Sequence, residues 1–289
     1  MGSLREVKNR ISSVKNTRKI TSAMRLVASS KLTRVEGIIA NMVPYQVKLD
    51  DIVGKLMASD VSVQSPFIQS REIKRIAVVV ISSNTTLCGG FNSNVVRAVN
   101  SLFAKSTIDP DSMLFYPIGK KIEEYILKKG LPVAGSYQEL ADKPNYKGMR
   151  EIAYELMRKY KNKEIDQVLL IYHHFKSLGS QELTEEIYLP FDMDKYRPTE
   201  EVEVVNSDYI IEPSEAELIA ELLPKVLSQK LFTVLIDSNA SEHAARSLAM
   251  KSATDNANDL IDDLTLQYNK SRQQAITNEL LDIVGGSMR

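Results

Sequence analysis

The chain has 289 residues, and its 37 Lys+Arg balance its 37 Asp+Glu, so the formal net charge is zero. That excludes a polyanion binder working by bulk charge, which needs a basic excess or stripe. Hydrophobic residues make up 43% and aromatics 7%, with no Trp, a composition that favours helix seams over one large core.

The first sixty residues hold one proline, Pro44, and no glycine between Gly2 and Gly37. Ser3 with Glu6 forms a capping box that starts a helix. A 3-4 spacing from Leu4 runs through Val7, Ile11, Val14, Arg18, Thr21, Arg25, Ala28, Leu32, Val35, Ile39, Met42, Gln46, Leu49, Val53 and Leu56, and twelve of these sixteen are apolar. This is a coiled-coil period, and the helix it predicts is roughly 80 Å long. The polar positions Arg18, Thr21 and Arg25 predict a seam that loosens near Met24, and Pro44 predicts a kink.

The middle changes character. Ile76–Ile81 reads as a buried strand, followed by the turn Leu87-Cys88-Gly89-Gly90 and a helix from Asn92. Met113–Tyr116 is a second strand, and Lys120–Lys129 a helix closed by Gly130. A short strand near Val133 and a helix from Gly148 to Tyr160 follow. Val168–Tyr172 and Glu185–Leu189 pair around Ser177-Leu178-Gly179-Ser180. Alternating units of this kind predict a small, mostly parallel α/β sheet with an antiparallel edge.

The last seventy-five residues return to helix. Ser214 with Glu217 makes a second capping box. Leu227, Leu231 and Val234 open a seam that Ala245 and Leu248 continue. Met250, Ala253, Ala257, Leu260 and Leu264 extend it, and Ile276, Leu280 and Ile283 finish it before Gly285-Gly286 ends the helix. Small residues from Ser238 to Ala257 permit close approach of a partner helix, and Pro224 predicts a kink or restart. The plan is α/β: a long antiparallel coiled coil of N-terminal (1–60) and C-terminal (210–286) helices with an α/β domain inserted over 74–205.

Chemistry-bearing residues are sparse. The turn after the first strand lacks G-x-G-x-x-G, and no G-x-x-x-x-G-K-[ST] occurs anywhere, so a strand-to-helix turn is preferred to a phosphate site. Cys88 is the only cysteine, which rules out an internal disulfide and fits a reducing compartment. No histidine is near it in sequence to act as its base. His173 and His174 point to opposite faces of one strand, one packed and one solvated, and cannot jointly hold a metal. No catalytic residue, metal site or cofactor is expected. No apolar run reaches a membrane span, and Met1–Glu6 lacks the apolar stretch of a signal peptide. The expectation is a soluble, intracellular chain. What stays unexplained is polar: Arg246, Asp255, Asn256, Asn269, Arg272 and Gln273 on the long helices exceed what a solvated face needs.

Ile20–Lys31, ITSAMRLVASSK, resembles the N-terminal signature of the F-type ATP synthase gamma subunit. Ser241–Ala257, SEHAARSLAMKSATDNA, resembles its C-terminal signature and continues into Tyr268–Leu280, YNKSRQQAITNEL. Leu87–Asn92 is similar to that family's turn after the first strand. One departure stands out: the family's Ser-Asp-basic-Gly stretch reads Ser83-Asn84-Thr85-Thr86 here. The resemblance implies a Rossmann-like inserted domain and a central rotor shaft, non-catalytic in itself, turning within a ring of alpha and beta subunits. It also implies contact with the epsilon subunit and the membrane c ring, and a peripheral position on the cytoplasmic face of a bacterial inner membrane. The expected shaft contacts are Met24, Lys31, Arg246, Asp255, Asn269, Arg272, Gln273, Thr277 and Glu279; the expected foot contacts are Tyr209 and Glu212. The rivals are a structural coiled-coil scaffold with a hinge domain and an α/β enzyme with long helical arms.

Overall fold

The computed structural model describes residues 4–58, 65–106, 108–192 and 214–287. The expected cap at Ser3 and the expected foot residues Tyr209 and Glu212 lie outside the described residues. The elements run α1 (Leu4–Ala58), β1 (Ile76–Ile81), α2 (Phe91–Lys105), β2 (Met113–Ile118), α3 (Lys120–Lys128), α4 (Gln138–Asp142), α5 (Tyr146–Lys161), β3 (Gln167–Ser177), β4 (Ser180–Leu189) and α6 (Glu215–Ser287).

Two compact units emerge: Met1–Ser30 with Arg246–Arg289, and Lys31–Ala245. The sequence places its breaks near 60–74 and 205–210, whereas the compact division cuts across both long helices. The reason is packing, since the inner stretches of α1 and α6 share the core of the sheet.

In the Lys31–Ala245 unit the sheet order is β2-β1-β3-β4, with β1 parallel to β2 and β3, and β4 antiparallel to β3. Central β1 is buried at all six positions, because helices cover both faces of a parallel sheet. On one face Val95, Ala98 and Val99 of α2 and Ile122 and Ile126 of α3 meet Ile76, Val78 and Val80. On the other, Met149, Ile152, Leu156 and Tyr160 of α5 meet Ala77, Val79, Ile118 and Leu170. Leu227, Leu231 and Val234, read from sequence as the opening of a helix–helix seam, belong to this second sheet cluster, with Leu49 and Val53 of α1. A wide apolar sheet face offers these side chains more contact than one helix could. Beyond it, Leu32 and Val35 pack with Ile236, Ala240 and Ala244, and Ile39 is partly buried there, as expected.

Other expectations meet the structure in detail. The strand near Val133 is a single bridge to Phe115, where Pro132 has no N–H to extend a ladder. Pro44 and Pro224 both sit inside unbroken helices. The hydroxyl of Ser228 donates to the Pro224 carbonyl at 2.7 Å. Gly285-Gly286 lies within the last turn of α6 and does not end it, since a glycine pair weakens a helix end without forbidding it.

Gly119 shows where glycine is required. Its φ is +106°, and a Cβ there would lie 2.2 Å from the Ser82 carbonyl oxygen. The Gly119-Lys120 pair is therefore a tight strand-to-helix joint between β2 and α3.

Candidate interaction surfaces

In the Met1–Ser30/Arg246–Arg289 unit the α1 spacing read from sequence is the buried one. Leu4, Val7, Ile11, Val14, Arg18, Thr21, Arg25 and Ala28 are all buried or half-buried, while most of their neighbours are exposed. The seam does not loosen at its polar positions. Thr21 is 9% exposed, and its hydroxyl shares a 2.8 Å hydrogen bond with that of Thr254. Arg18 donates to Asn258 at 3.1 Å, and the hydroxyls of Ser29 and Ser247 meet at 2.9 Å. These pairs form a polar layer, a device that fixes register in helix pairs at some cost in stability.

The layer also sets the direction. From Ser29 to Arg18 is eleven residues, and from Ser247 to Asn258 is eleven in the opposite sense, so the helices are antiparallel. Carrying that register to Leu4 brings the described start of α1 opposite Arg272.

On α6 the sequence reading needs correction. The buried or half-buried line is Met250, Thr254, Ala257, Ile261, Leu264, Tyr268, Ser271 and Ala275. Leu260 is 38% exposed and Leu248 is 43% exposed, whereas Ile261 is 7% exposed. A strict 4-3 alternation from Met250 selects Thr254 and Ile261, and reading it 3-4 selects Ala253 and Leu260. The apolar side chains Leu260 and Ile261 are adjacent, so composition alone does not choose between them. From Ile276 through Val284 every side chain is exposed, including Ile276, Leu280 and Ile283, which the sequence reading had as the end of the seam.

The expected shaft contacts now have positions. Asp255, Asn269, Arg272, Gln273, Thr277 and Glu279 are exposed on α6, and Lys31 is exposed on α1. The Thr277 hydroxyl is turned back on its own helix, donating to the Gln273 carbonyl at 2.9 Å. Arg246 differs from the rest: it is 9% exposed and offers an outside partner little surface. Met24 is half-buried beside the seam.

Sequence reasoning missed the stripe on which Met24 and Lys31 stand. Ile20, Met24, Val27 and Lys31 are spaced i, i+4, i+7, i+11, one helical face displaced by a residue from the seam. Ile20 is 60% exposed and Val27 58% exposed, with Leu26 at 63% nearby. The signal was present as a second apolar periodicity in the same window. Exposed apolar side chains repeated along a face mark an interaction surface.

The sheet unit explains the altered loop. Asn84 accepts from the Lys120 N–H at 2.8 Å and donates from Nδ2 to the Gln138 carbonyl at 2.9 Å, tying β1's exit to α3 and α4. An aspartate could make only the first bond. The following turn is closed on itself. Asn92 bonds the Ser83 N–H and hydroxyl and lies 3.3 Å from the Cys88 sulfur, and Cys88 is 2% exposed. Its polar groups serve the turn, in line with the strand-to-helix reading. His173 is 1% exposed and stacked on Phe91 at 4.4 Å, with no hydrogen bond to either ring nitrogen among the described residues. Burial pushes its pKa down to about 4. His174 is solvated and bonds Asp237 at 2.5 Å, so the two histidines divide as their strand position predicts. Among the described residues no cluster of His, Cys, Asp or Glu could hold a metal ion, and no helix is long and apolar enough to cross a membrane.

A family model described as ATP synthase matches residues 3–288. The chain is 57% identical to the ATP synthase gamma chain of Bacteroides fragilis over 289 residues, covering 100% of both chains. The chain belongs to the ATP synthase gamma-chain family. A more distant relative, the gamma chain of Christiangramia forsetii, is 40% identical over 99% of this chain and 98% of its own. Solved structures agree on the fold. The rotor of Euglena gracilis mitochondrial ATP synthase in rotational state 1 aligns with a TM-score of 0.64 at 17% identity, covering 94% of this chain and 98% of that one. The central stalk/c-ring structure of Tetrahymena thermophila mitochondrial ATP synthase gives 0.56 at 23% identity, covering 81% and 99%. At 17–23% identity these alignments show a shared fold.

Proposed function

We propose that this chain is the central rotor subunit of an F-type ATP synthase. It transmits torque between a membrane c ring and a catalytic hexamer of alpha and beta subunits, and carries no catalytic residue of its own. The observation that carries this reading is the full-length relationship to gamma chains at 57% identity, which includes both terminal helices.

The geometry supports the mechanical part. The helix pair has a narrow buried seam with side chains exposed outside it, and α6 extends past the register end of α1 with an apolar, solvent-facing tip. Such a tip is stable in water only at a cost, and a surrounding sleeve of partner subunits removes that cost. The faces of the pair differ chemically: Ile20, Met24, Val27 and Lys31 mark one, and Arg272, Gln273 and Glu279 stand near the end of the other helix. A beta subunit meeting one face rather than another experiences a different interaction energy. Rotation thereby shifts which conformation each catalytic site prefers.

The roles assigned to the residues follow. Met24, Lys31, Asp255, Asn269, Arg272, Gln273, Thr277 and Glu279 contact the alpha and beta ring, with Arg246 contributing only its small exposed part. Arg272 grips a beta carboxylate through its planar fork. The α/β insert, with Tyr209 and Glu212 where the chain enters α6, meets the epsilon subunit and the c ring. The complex sits peripherally on the cytoplasmic face of a bacterial inner membrane. The test is assembly followed by function. Tagged chain expressed in its host co-purifies with alpha and beta subunits, and a cysteine at Tyr209 cross-links to c subunits. Isolation of the chain alone, or cross-linking of Tyr209→Cys only to alpha or beta, overturns the assignment.

A further inference from the structure

A cavity of about 310 Å³ opens in the Lys31–Ala245 unit between α1, the α4–α5 connection and α6. Its apolar floor is Val35, Ile38 and Ile236, of which Val35 and Ile236 are 6% and 1% exposed. Its rim carries Lys31, Arg34 and Lys143. The wall is fixed by a buried polar contact: Asn239, 6% exposed, donates from Nδ2 to the Ala141 carbonyl at 3.0 Å, clamping the end of α4 against α6.

The cavity's lining carries more positive than negative side chains. Some lysines of the unit find carboxylates: Lys121 with Glu124 at 3.0 Å, Lys159 with Glu164 at 3.4 Å, Lys230 with Glu186 at 2.7 Å. Lys31, Arg34 and Lys143 form no ion pair among the described residues, although Asp142 lines the same cavity. Three cations to one carboxylate around a small apolar concavity leave uncompensated positive charge beside surface that repels water. An occupant with an apolar body and a negative head relieves both. The volume falls at the lower end of the range for small-molecule sites, roughly 300–1,000 Å³.

We propose that this cavity binds a small amphipathic organic anion, an aromatic or short-chain carboxylate or sulfonate. The apolar body lies on Val35, Ile38 and Ile236, and the anionic group meets Arg34, with Lys31 and Lys143 flanking it. Arginine suits the head group because its fork holds both oxygens of a carboxylate. A ligand here touches both long helices and the sheet-side connection at once, so its binding stiffens this junction.

The site belongs to the chain itself and is tested without assembly, so its failure leaves the rotor assignment standing. The probe is 2-naphthoate, titrated into the full-length chain and followed by ligand-observed NMR or calorimetry, with 2-naphthamide and inorganic phosphate as comparisons. Naphthoate is expected to bind about tenfold or more tightly than either, since one lacks the charge and the other the apolar body. Arg34→Gln and Lys143→Gln, both exposed positions, each weaken naphthoate about tenfold, the scale of one charge-assisted hydrogen bond. Equal naphthoate binding by wild type and the Arg34→Gln/Lys143→Gln double variant overturns the proposal, as does amide or phosphate binding as tight as naphthoate, or no saturable naphthoate binding.

Discussion

The two compact units solve the same physical problem with different amounts of buried surface. In the Lys31–Ala245 unit a four-stranded sheet is covered on both faces, and residues such as Val78, Val79, Ile118, Leu156 and Leu170 are wholly inaccessible. In the Met1–Ser30/Arg246–Arg289 unit two helices share one narrow seam, three hydrogen-bonded polar pairs interrupt its apolar run, and the far end of α6 is exposed on all sides. A wide core makes a rigid platform, whereas a thin seam leaves most of each helix surface available for partners. Substitutions should therefore unfold the first unit and leave the second folded while changing what it touches.

The largest effect tests the buried side of that contrast. Leu32→Asp places an unpaired carboxylate among Val35, Ile236, Ala240 and Ala244 and is expected to cost about 4 kcal/mol. Leu280→Asp, at a position 57% exposed, should stay within about 0.5 kcal/mol of wild type. Urea unfolding of both variants measures the difference, and similar midpoints would erase the distinction.

A second effect depends on pH. The folded pKa of His173, about 4, lies below its ordinary 6.5 because the ring is buried. Between those values the unfolded chain binds the proton that the folded chain refuses. The stability contributed by the neutral ring is complete above about pH 6.5 and falls as the pH drops toward about 4. His173→Phe should flatten the stability profile over that window, whatever its effect on absolute stability. A slope unchanged by the substitution would assign the acid sensitivity to other groups.

The polar joints come next. Asn84→Asp keeps the acceptor for the Lys120 N–H but sets a carboxylate against the Gln138 carbonyl, for an expected loss of about 1–2 kcal/mol. In the helix pair, Thr21→Val should cost about 1 kcal/mol or less, because Thr254 also donates to the Met250 carbonyl at 2.8 Å. Thr21→Val with Thr254→Val should recover most of it, replacing both partners with similar shapes. A double-mutant cycle with no coupling would show that the layer does not set the register.

The smallest expected change in stability carries the largest expected change in function. Arg272→Ala and Met24→Lys should shift unfolding by less than about 0.5 kcal/mol, yet lower the ratio of proton pumping to ATP hydrolysis in membrane vesicles containing assembled enzyme. Met24→Lys does so by adding a charge at the partner surface. Wild-type ratios in both variants would remove these residues from the contact surface.

The sequence by itself determined the order of the elements except α4, the mixed sheet with its antiparallel edge, the α1 seam from Leu4 to Ala28, and the family. Each rests on a local signal: a run of β-branched residues, a capping side chain, a 3-4 period, or an uninterrupted stretch of familiar residues. Only the tertiary structure decided where neighbours compete for one surface. It gave Ile261 rather than Leu260 to the seam, because the phase of a heptad is fixed by the partner helix and not by hydrophobicity. It gave Leu227 and Leu231 to the sheet, whose face buries more of them than a helix does. It turned Thr21 from an interruption into a bonded pair, because a hydroxyl's partner is 233 residues away in the chain. It also collected Arg34, Lys143 and Ile236 around one cavity, since a site built from three separate elements leaves no trace in any one of them.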